Sequence, residues 1–379
     1  MPPEIALTAA FATAALLTFA LTPAAIRLAV RTGFLDRPLG YKGHARATPY
    51  LGGCALAAGI AIAALVFGAG TSTYAVLLAC ALGLWAMGTI DDRHNLSPQL
   101  RVLVEVAVAL VLWSAGLGWD VLGSAPADAA LTVLWVLGIV NAFNLMDNMN
   151  GAAATTAATS ALGAAGLALV GGETGLAALC LAIAGACAGF LPYNLTGRIF
   201  MGDGGSMLLG TLVAGTAMVA APSTGLELTA VVAAALIAGL AILDTTLVSV
   251  SRRRAGRPLL SGGRDHLTHR LATRLGSPGR VALALAGGQA VLCAVAVACA
   301  EAGPEWVVGA GGLAACLGIW AVFVLDSPAW SGSTKNLACR SSAINETRTP
   351  ALAVSGPEQN HRDLVAGLTS PPGGGIPRA

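Results

Sequence analysis

Apolar residues fall in runs of about 17–25, separated by short polar connections, from the start of the chain to about residue 326. Runs of that length cross ~30 Å of hydrocarbon as helix, and they lack the period-2 alternation of a barrel strand. Lipid offers the backbone no hydrogen-bonding partners, so helices are what such runs form. Eleven spans are expected, near 5–30, 51–70, 74–90, 100–118, 129–146, 151–171, 176–194, 205–221, 226–250, 281–300 and 306–325. The sixth is rich in Ala and Thr. The expected fold class is an all-α polytopic membrane protein, with one membrane domain over 1–326. Residues 327–379 turn rich in Pro, Gly, Ser and Asn without apolar periodicity, the pattern of a disordered tail.

Charge orients the bundle. Odd-numbered connections carry the cations: Arg31, Arg37, Lys42 and Arg46, then Arg93, then Arg198, then the series from Arg252 to Arg280. Even-numbered ones contain no Lys or Arg, only acids such as Asp120, Asp128, Glu173, Glu301 and Glu305. The positive-inside rule then places the odd connections and the C-terminus in the cytoplasm and the N-terminus outside.

Only 11% of residues are charged, against roughly a quarter in soluble domains, which removes the soluble classes. A net charge of +2 gives no basic surface for nucleic acid, and no nucleic-acid partner is expected. The cysteines sit mostly inside apolar runs with no Cys-x-x-Cys pair, as small core residues do. The N-terminus lacks the basic region of a cleaved signal peptide, so the first span is expected to be kept.

Five polar clusters stand out, all in odd connections. Asp36-Arg37-Pro38-Leu39-Gly40-Tyr41-Lys42-Gly43-His44 offers Lys42 and His44 to a phosphate or an anionic headgroup, against a plain reading as positive-inside anchoring. Asp91-Asp92-Arg93-His94 closes span three. Two carboxylates ~5 Å apart repel by about 3 kcal/mol at an effective dielectric near 20, which favours a divalent cation or a bound proton. The plain alternative is a solvated turn. Arg101 follows just inside span four, placed to snorkel or to reach a phosphate. Asn141, Asn144 and Asp147 recur every third residue at the end of span five and share one side of it, as a site or an interhelix contact.

The fourth cluster is Phe200-Met201-Gly202-Asp203-Gly204-Gly205-Ser206, with Asn194 and Arg198 ahead of it. Asp203 is expected to N-cap span eight, and the glycines to open the backbone to a phosphate. The fifth is the loop Gly263-Arg264-Asp265-His266-Leu267-Thr268-His269-Arg270. If helical, its two histidines face the same way, with arginines beside them for a pyrophosphate. No third His or Cys is spaced to complete a zinc site with them. The triple Arg252 to Arg254 reads as a topology anchor. Asp244, inside span nine, reads as functional or as a structural pair. Carboxylates, glycines and cations collected on one face suit phosphoryl transfer, without a Walker-A sequence.

In this order the motifs resemble the polyprenyl-phosphate N-acetylhexosamine-1-phosphate transferase family over roughly residues 33–275. The resemblance implies transfer of a HexNAc-1-phosphate, GlcNAc-1-phosphate foremost, from a UDP-amino sugar to a polyprenyl phosphate with release of UMP. It implies Mg2+, with Mn2+ as the alternative, and an active site on the cytoplasmic face of a bacterial inner membrane, in cell-wall or surface-polysaccharide synthesis. A homodimer is an open assembly. Carried over by position, Asp203 is the implied direct metal ligand, and Asp91 and Asp92 hold metal or activate the lipid phosphate. Asp147, His266 and His269 join the catalytic set. Lys42, His44, Arg101, Asn144, Asn194, Gly204, Arg264 and Arg270 are the implied substrate contacts.

The chain departs from the family at Asn150, where a second acid is usual, at Arg101, where Lys is common, and at Thr268, which interrupts the histidine run. A spaced His-x-x-His and eleven spans are more like the branch that primes surface or wall polymers than the one that transfers MurNAc-pentapeptide. Two other classes remain in view: a secondary transporter, motivated by Asp244, and an inactive scaffold, motivated by Asn150.

Overall fold

A computed structural model describes residues 2–36, 47–67, 72–221, 227–259 and 262–330. The helices are α1 (Pro3–Thr32), α2 (Gly52–Phe67), α3 (Ser72–His94), α4 (Pro98–Ser114), α5 (Ala125–Met146), α6 (Ala152–Val170) and α7 (Thr174–Asn194). They continue with α8 (Gly202–Ala220), α9 (Glu227–Ile237), α10 (Gly239–Arg254), α11 (Leu267–Leu275), α12 (Pro278–Ala302) and α13 (Pro304–Leu325). Every expected span coincides with a helix, or in the ninth case with the pair α9 and α10. Among the described residues, eight helices are long and apolar enough to cross a membrane, nine if the bent pair is one span. The expected eleven is higher because α2 has 16 residues and α4 has 17. At 1.5 Å per residue these reach only about 24–26 Å.

α8 is the hub. Within its span 89% lies inside the protein, against 11% for α13, which faces outward. It packs on α3 and α5, while α1, α2 and α7 form an adjoining group and α6 joins α7 to α12. Small residues make this possible, because they let helix backbones approach closely where lipid gives no hydrophobic drive. A Cβ on Gly204 would collide with Thr89 and the Trp85 carbonyl of α3, and one on Gly53 of α2 with the Gly205 backbone.

Two short elements were not expected. Strands β1 (Leu35–Asp36) and β2 (Thr48–Pro49) pair antiparallel, Leu35 with Pro49 and Asp36 with Thr48. From there the backbone docks on the entry to α8: the Phe200 N–H donates to Pro49 O at 2.8 Å, and the Gly52 and Gly53 N–H groups donate to Phe200 O and Met201 O. Lys42 and His44 belong to the loop between the strands and lie outside the described residues. Most of the expected tail, from 331 onward, also lies outside them. Residues 327–330 lie against α11, with the Arg274 guanidinium 4.4 Å from the Trp330 ring.

The ninth span bends by 80° at Ala238. Such a break frees backbone groups that hydrocarbon cannot satisfy. Gln289 of α12, fully buried, satisfies them: its amide donates to Leu236 O (3.0 Å) and Ile237 O (2.8 Å), and its carbonyl accepts from the Leu240 N–H (3.0 Å). The bend aims α10, with Asp244 and Arg252, at the polar end of the bundle. Gln289→Leu leaves those groups bare and is expected to lower stability by about 2 kcal/mol or more. Thermal unfolding in detergent checks this, and an unchanged Tm contradicts the bridging role.

Candidate functional site

Four helix ends converge where the polar clusters were expected to meet. Asp91 and Asp92 end α3, Arg101 lies in the first turn of α4, Asn144 and Asp147 end α5, and Asp203 begins α8. Arg101 is the clasp. Its Nη1 lies 2.7 Å from Asp91 Oδ2 and 3.3 Å from Asp203 Oδ2, and its Nη2 donates to Asn144 Oδ1 at 3.4 Å. The Asn144 amide in turn donates to Ser206 Oγ (3.1 Å), whose hydroxyl donates to Asp203 O. A planar guanidinium can hold several acceptors in fixed directions, which a lysine ammonium does less well.

The cap of α8 differs from expectation. Asp203 makes no capping bond; Asp92 caps the helix from α3, accepting from the Asp203 N–H (3.0 Å) and the Gly204 N–H (3.4 Å). Gly202 takes a left-handed φ of 73°, and a Cβ there would meet the Asp92 carboxylate. The positive end of the α8 dipole therefore already faces a carboxylate. Gly204, expected as a substrate contact, is buried with its N–H taken by Asp92, so the glycines here serve helix packing rather than an open phosphate cradle.

The carboxylates divide by access. Asp91 is only 6% exposed and accepts from Arg101 and from the Leu96 N–H (2.6 Å), so it orients Arg101 and the turn after α3. Asp203 is 36% exposed and open to a ligand. Asp147 is partly buried beside both acids. Its burial, then repulsion from Asp203 and Asp92, hold its carboxyl well above the ordinary carboxylate range. Tyr50 donates its hydroxyl to Asp92 O (2.8 Å) and ties the β1–β2 feet to the acids. Burial, then the Asp92 charge, raise that phenol.

An excess of hard oxygen donors over one guanidinium is the chemistry that suits Mg2+. Among the described residues no three His, Cys, Asp or Glu side chains converge on one point as they stand. The donor types suit a divalent ion, with Asp203 and Asp147 the less committed oxygens and Asp92 able to join only through lone pairs not used in capping α8.

The histidine loop forms a second part, joined to the first through the segment after α5. Thr268 donates to Asn148 Oδ1, one residue from Asp147. His266 is the residue before α11 and His269 lies inside it, with rings edge-on at 6.2 Å, so the expected shared helical face is replaced by a cap and a first-turn position. His266 is buried against Asp244. The His269 Nδ1 is buried without a partner, and burial, then Arg264 and His266, lower its pKa to about 4, so it is neutral at pH 7. Arg264 is exposed.

Two other expected contacts are engaged within the protein. Asn194 is buried, accepting from the Gly151 N–H (2.7 Å) and donating to Ile199 O (3.0 Å), which locks the end of α7 to the start of α6. Arg270 is buried and donates to Leu325 O, Ser251 Oγ and Asp326, stapling α11 to the end of α13. The triple arginine is more than an anchor. Arg252 is buried in a bidentate pair with Asp265 (2.9 and 3.1 Å), and Arg254 pairs with Asp326 (2.8 Å). Burial pushes the Asp265 carboxyl up, but its bonds to Arg252 hold it below the usual range. Asn141 donates to Glu105 of α4 (2.6 Å), a fully buried acid on the same helix face as Arg101. Its i, i+4 spacing from Arg101 inside an apolar run was the signal for it.

Residues 74–221 match the family model described as glycosyl transferase family 4. The chain is similar to a Bacillus subtilis protein named "Probable undecaprenyl-phosphate N-acetylglucosaminyl 1-phosphate transferase", with 31% identity over 279 residues, covering 70% of this chain and 77% of the relative. It is 33% identical over 302 residues to the decaprenyl-phosphate N-acetylglucosaminephosphotransferase of Mycolicibacterium smegmatis, covering 68% of this chain and 73% of that one. A third relative is the undecaprenyl-phosphate alpha-N-acetylglucosaminyl 1-phosphate transferase of Escherichia coli K12, 30% identical over 302 residues, with coverage of 74% and 81%.

The raised carboxyl of Asp147 makes a stability prediction. A folded state that holds this proton more tightly than the unfolded chain loses stability as pH rises from the ordinary carboxylate range, near 4, through the raised folded value. Without divalent ions, Asp147→Asn is expected to raise Tm at pH 7–8 by on the order of 2 °C or more, and to change it little at pH 4. A Tm gain equal at both pH values contradicts the shift.

Proposed function

The chain belongs to the polyprenyl-phosphate N-acetylhexosamine-1-phosphate transferases of glycosyl transferase family 4, and from that premise we propose that it transfers GlcNAc-1-phosphate from UDP-GlcNAc to a polyprenyl phosphate. An oxygen of the lipid phosphate forms a bond to the β-phosphorus, the bond from that phosphorus to the bridging oxygen breaks, and UMP leaves. The product is a polyprenyl-pyrophosphoryl sugar, the lipid carrier on which cell-wall or surface polysaccharide is begun. The observation that carries the reading is the open Asp203 carboxylate, held at 3.3 Å by Arg101 beside the charge-repelled Asp147.

Asp203, Asp147 and Asp92 are the residues that would hold Mg2+, which when bound would neutralise the diphosphate and the charge developing on the leaving UMP. Arg101 orients Asp203 and stands ready to follow the phosphate charge. Lys42 and His44 are assigned to the lipid phosphate, because the feet of their loop reach Asp92 through Tyr50. Arg264 and neutral His269 are assigned to the sugar nucleotide. The run of cations in odd connections supports placing this end of the bundle, and the active site, on the cytoplasmic face of a bacterial inner membrane.

A transporter is less well supported. Transporters gather ionisable groups at the broken helix near the midplane, whereas the break here is bridged by neutral Gln289. Purified protein with Mg2+, polyprenyl phosphate and UDP-GlcNAc is expected to release UMP, with none after chelation. Asp203→Asn is expected to lower kcat at least ~100-fold, as loss of a charge-stabilising group does. A folded wild type silent with every UDP-amino sugar tried contradicts the assignment.

A further inference from the structure

Asp244 is a deeply buried acid for which the proposed reaction has no direct use. It lies in α10 with no exposed surface. Both its oxygens are engaged by the start of the histidine segment: Oδ2 lies 2.9 Å from His266 Nδ1, and Oδ1 accepts the Leu267 N–H at 2.6 Å. Leu267 is the first residue of α11, so Asp244 caps that helix from another element, as Asp92 caps α8.

The other face of the imidazole decides its tautomer. His266 Nε2 faces Arg252 Nη2 at 3.5 Å, and a guanidinium has only hydrogens to offer. Arg252 cannot turn away, because Asp265 grips it at 2.9 and 3.1 Å. An N–H on Nε2 would point at that cation, so the hydrogen belongs on Nδ1, directed at Asp244. Asp244, His266, Arg252 and Asp265 form one buried chain of contacts, and Arg264 and His269 flank the segment it clamps.

We propose that Asp244 is a positioning residue for the sugar-nucleotide half of the site. It fixes the His266 tautomer and the start of α11, and so sets where Arg264 and His269 meet the donor. The kinetic part rests on the transferase reading above; the tautomer part does not. Asp244→Asn keeps the shape but cannot accept from both donors without also presenting an N–H. It is expected to raise KM for UDP-GlcNAc about tenfold while kcat changes less than threefold and KM for polyprenyl phosphate stays level.

Histidine-selective 15N magic-angle-spinning NMR reads the tautomer without turnover. The chain has five histidines, and loss of one signal in His266→Gln assigns it. The expected wild-type state is hydrogen on Nδ1, lost in Asp244→Asn. A second pair covers the case in which Asp244→Asn does not fold. His266→Asn keeps an N–H near the Nδ1 position and should retain donor KM better than His266→Gln. Hydrogen on Nε2 in the wild type, a signal unmoved by Asp244→Asn, or an equal loss toward both substrates with a lowered Tm overturns the proposal. Wild-type protein silent with every UDP-amino sugar but showing the expected Nδ1 state overturns the transferase reading alone.

Discussion

Carboxylates repel, and this protein places four of them at one end of a membrane bundle. The arrangement holds because two positive partners are built into the helices themselves. One is the N-terminus of α8, whose first free N–H groups point at Asp92. The other is Arg101, which reaches Asp91 and Asp203 from the first turn of α4. Close packing is a condition for both. Asp92 can meet the α8 amides only because Gly202 and Gly204 leave room for it and for the neighbouring α3 backbone. Charge compensation and helix spacing are thus the same constraint, and it leaves Asp203 and Asp147 as the acids with chemistry to spare.

The second part of the site depends on the first through a short hinge of sequence. Asp147 senses the acids while its neighbour Asn148 binds Thr268 of the histidine segment. The clamp on the histidine segment repeats the device seen at α8, an acid from one helix capping the start of another. In both places an N-terminal turn that would ordinarily be solvated is anchored to the bundle, which suits a site that must hold charged diphosphate at fixed positions.

Much of this was legible in the residues. Asp91, Asp92, Asn144, Asp147 and Asp203 could be gathered onto one side because each sits at a helix end bordering an odd-numbered connection, and span lengths assign the helices well. What could not be read is which way each polar group turns. Asp203 looked like the cap of α8, but the capping oxygen comes from Asp92, 111 residues away. Asn194, Gly204 and Arg270 were singled out correctly as unusual and assigned to substrate; their hydrogen bonds instead go to the protein's own backbone and side chains. Arg252 looked like an anchor because a surface role is usual for arginine runs, and its bidentate partner appears only when the loop folds back. Gln289 left no signal, since its purpose is a bend fifty residues away that periodicity does not reveal.

The claim at the centre is that the acids around Asp203 bind a divalent cation that the two built-in positive partners do not replace. Mn2+ titration of the purified protein, followed by electron paramagnetic resonance, tests it without turnover. The wild type is expected to bind one Mn2+ displaceable by Mg2+, with that site lost in Asp203→Asn and retained in His269→Gln. Equal binding by the wild type and Asp203→Asn, or loss of the site in His269→Gln alone, contradicts it.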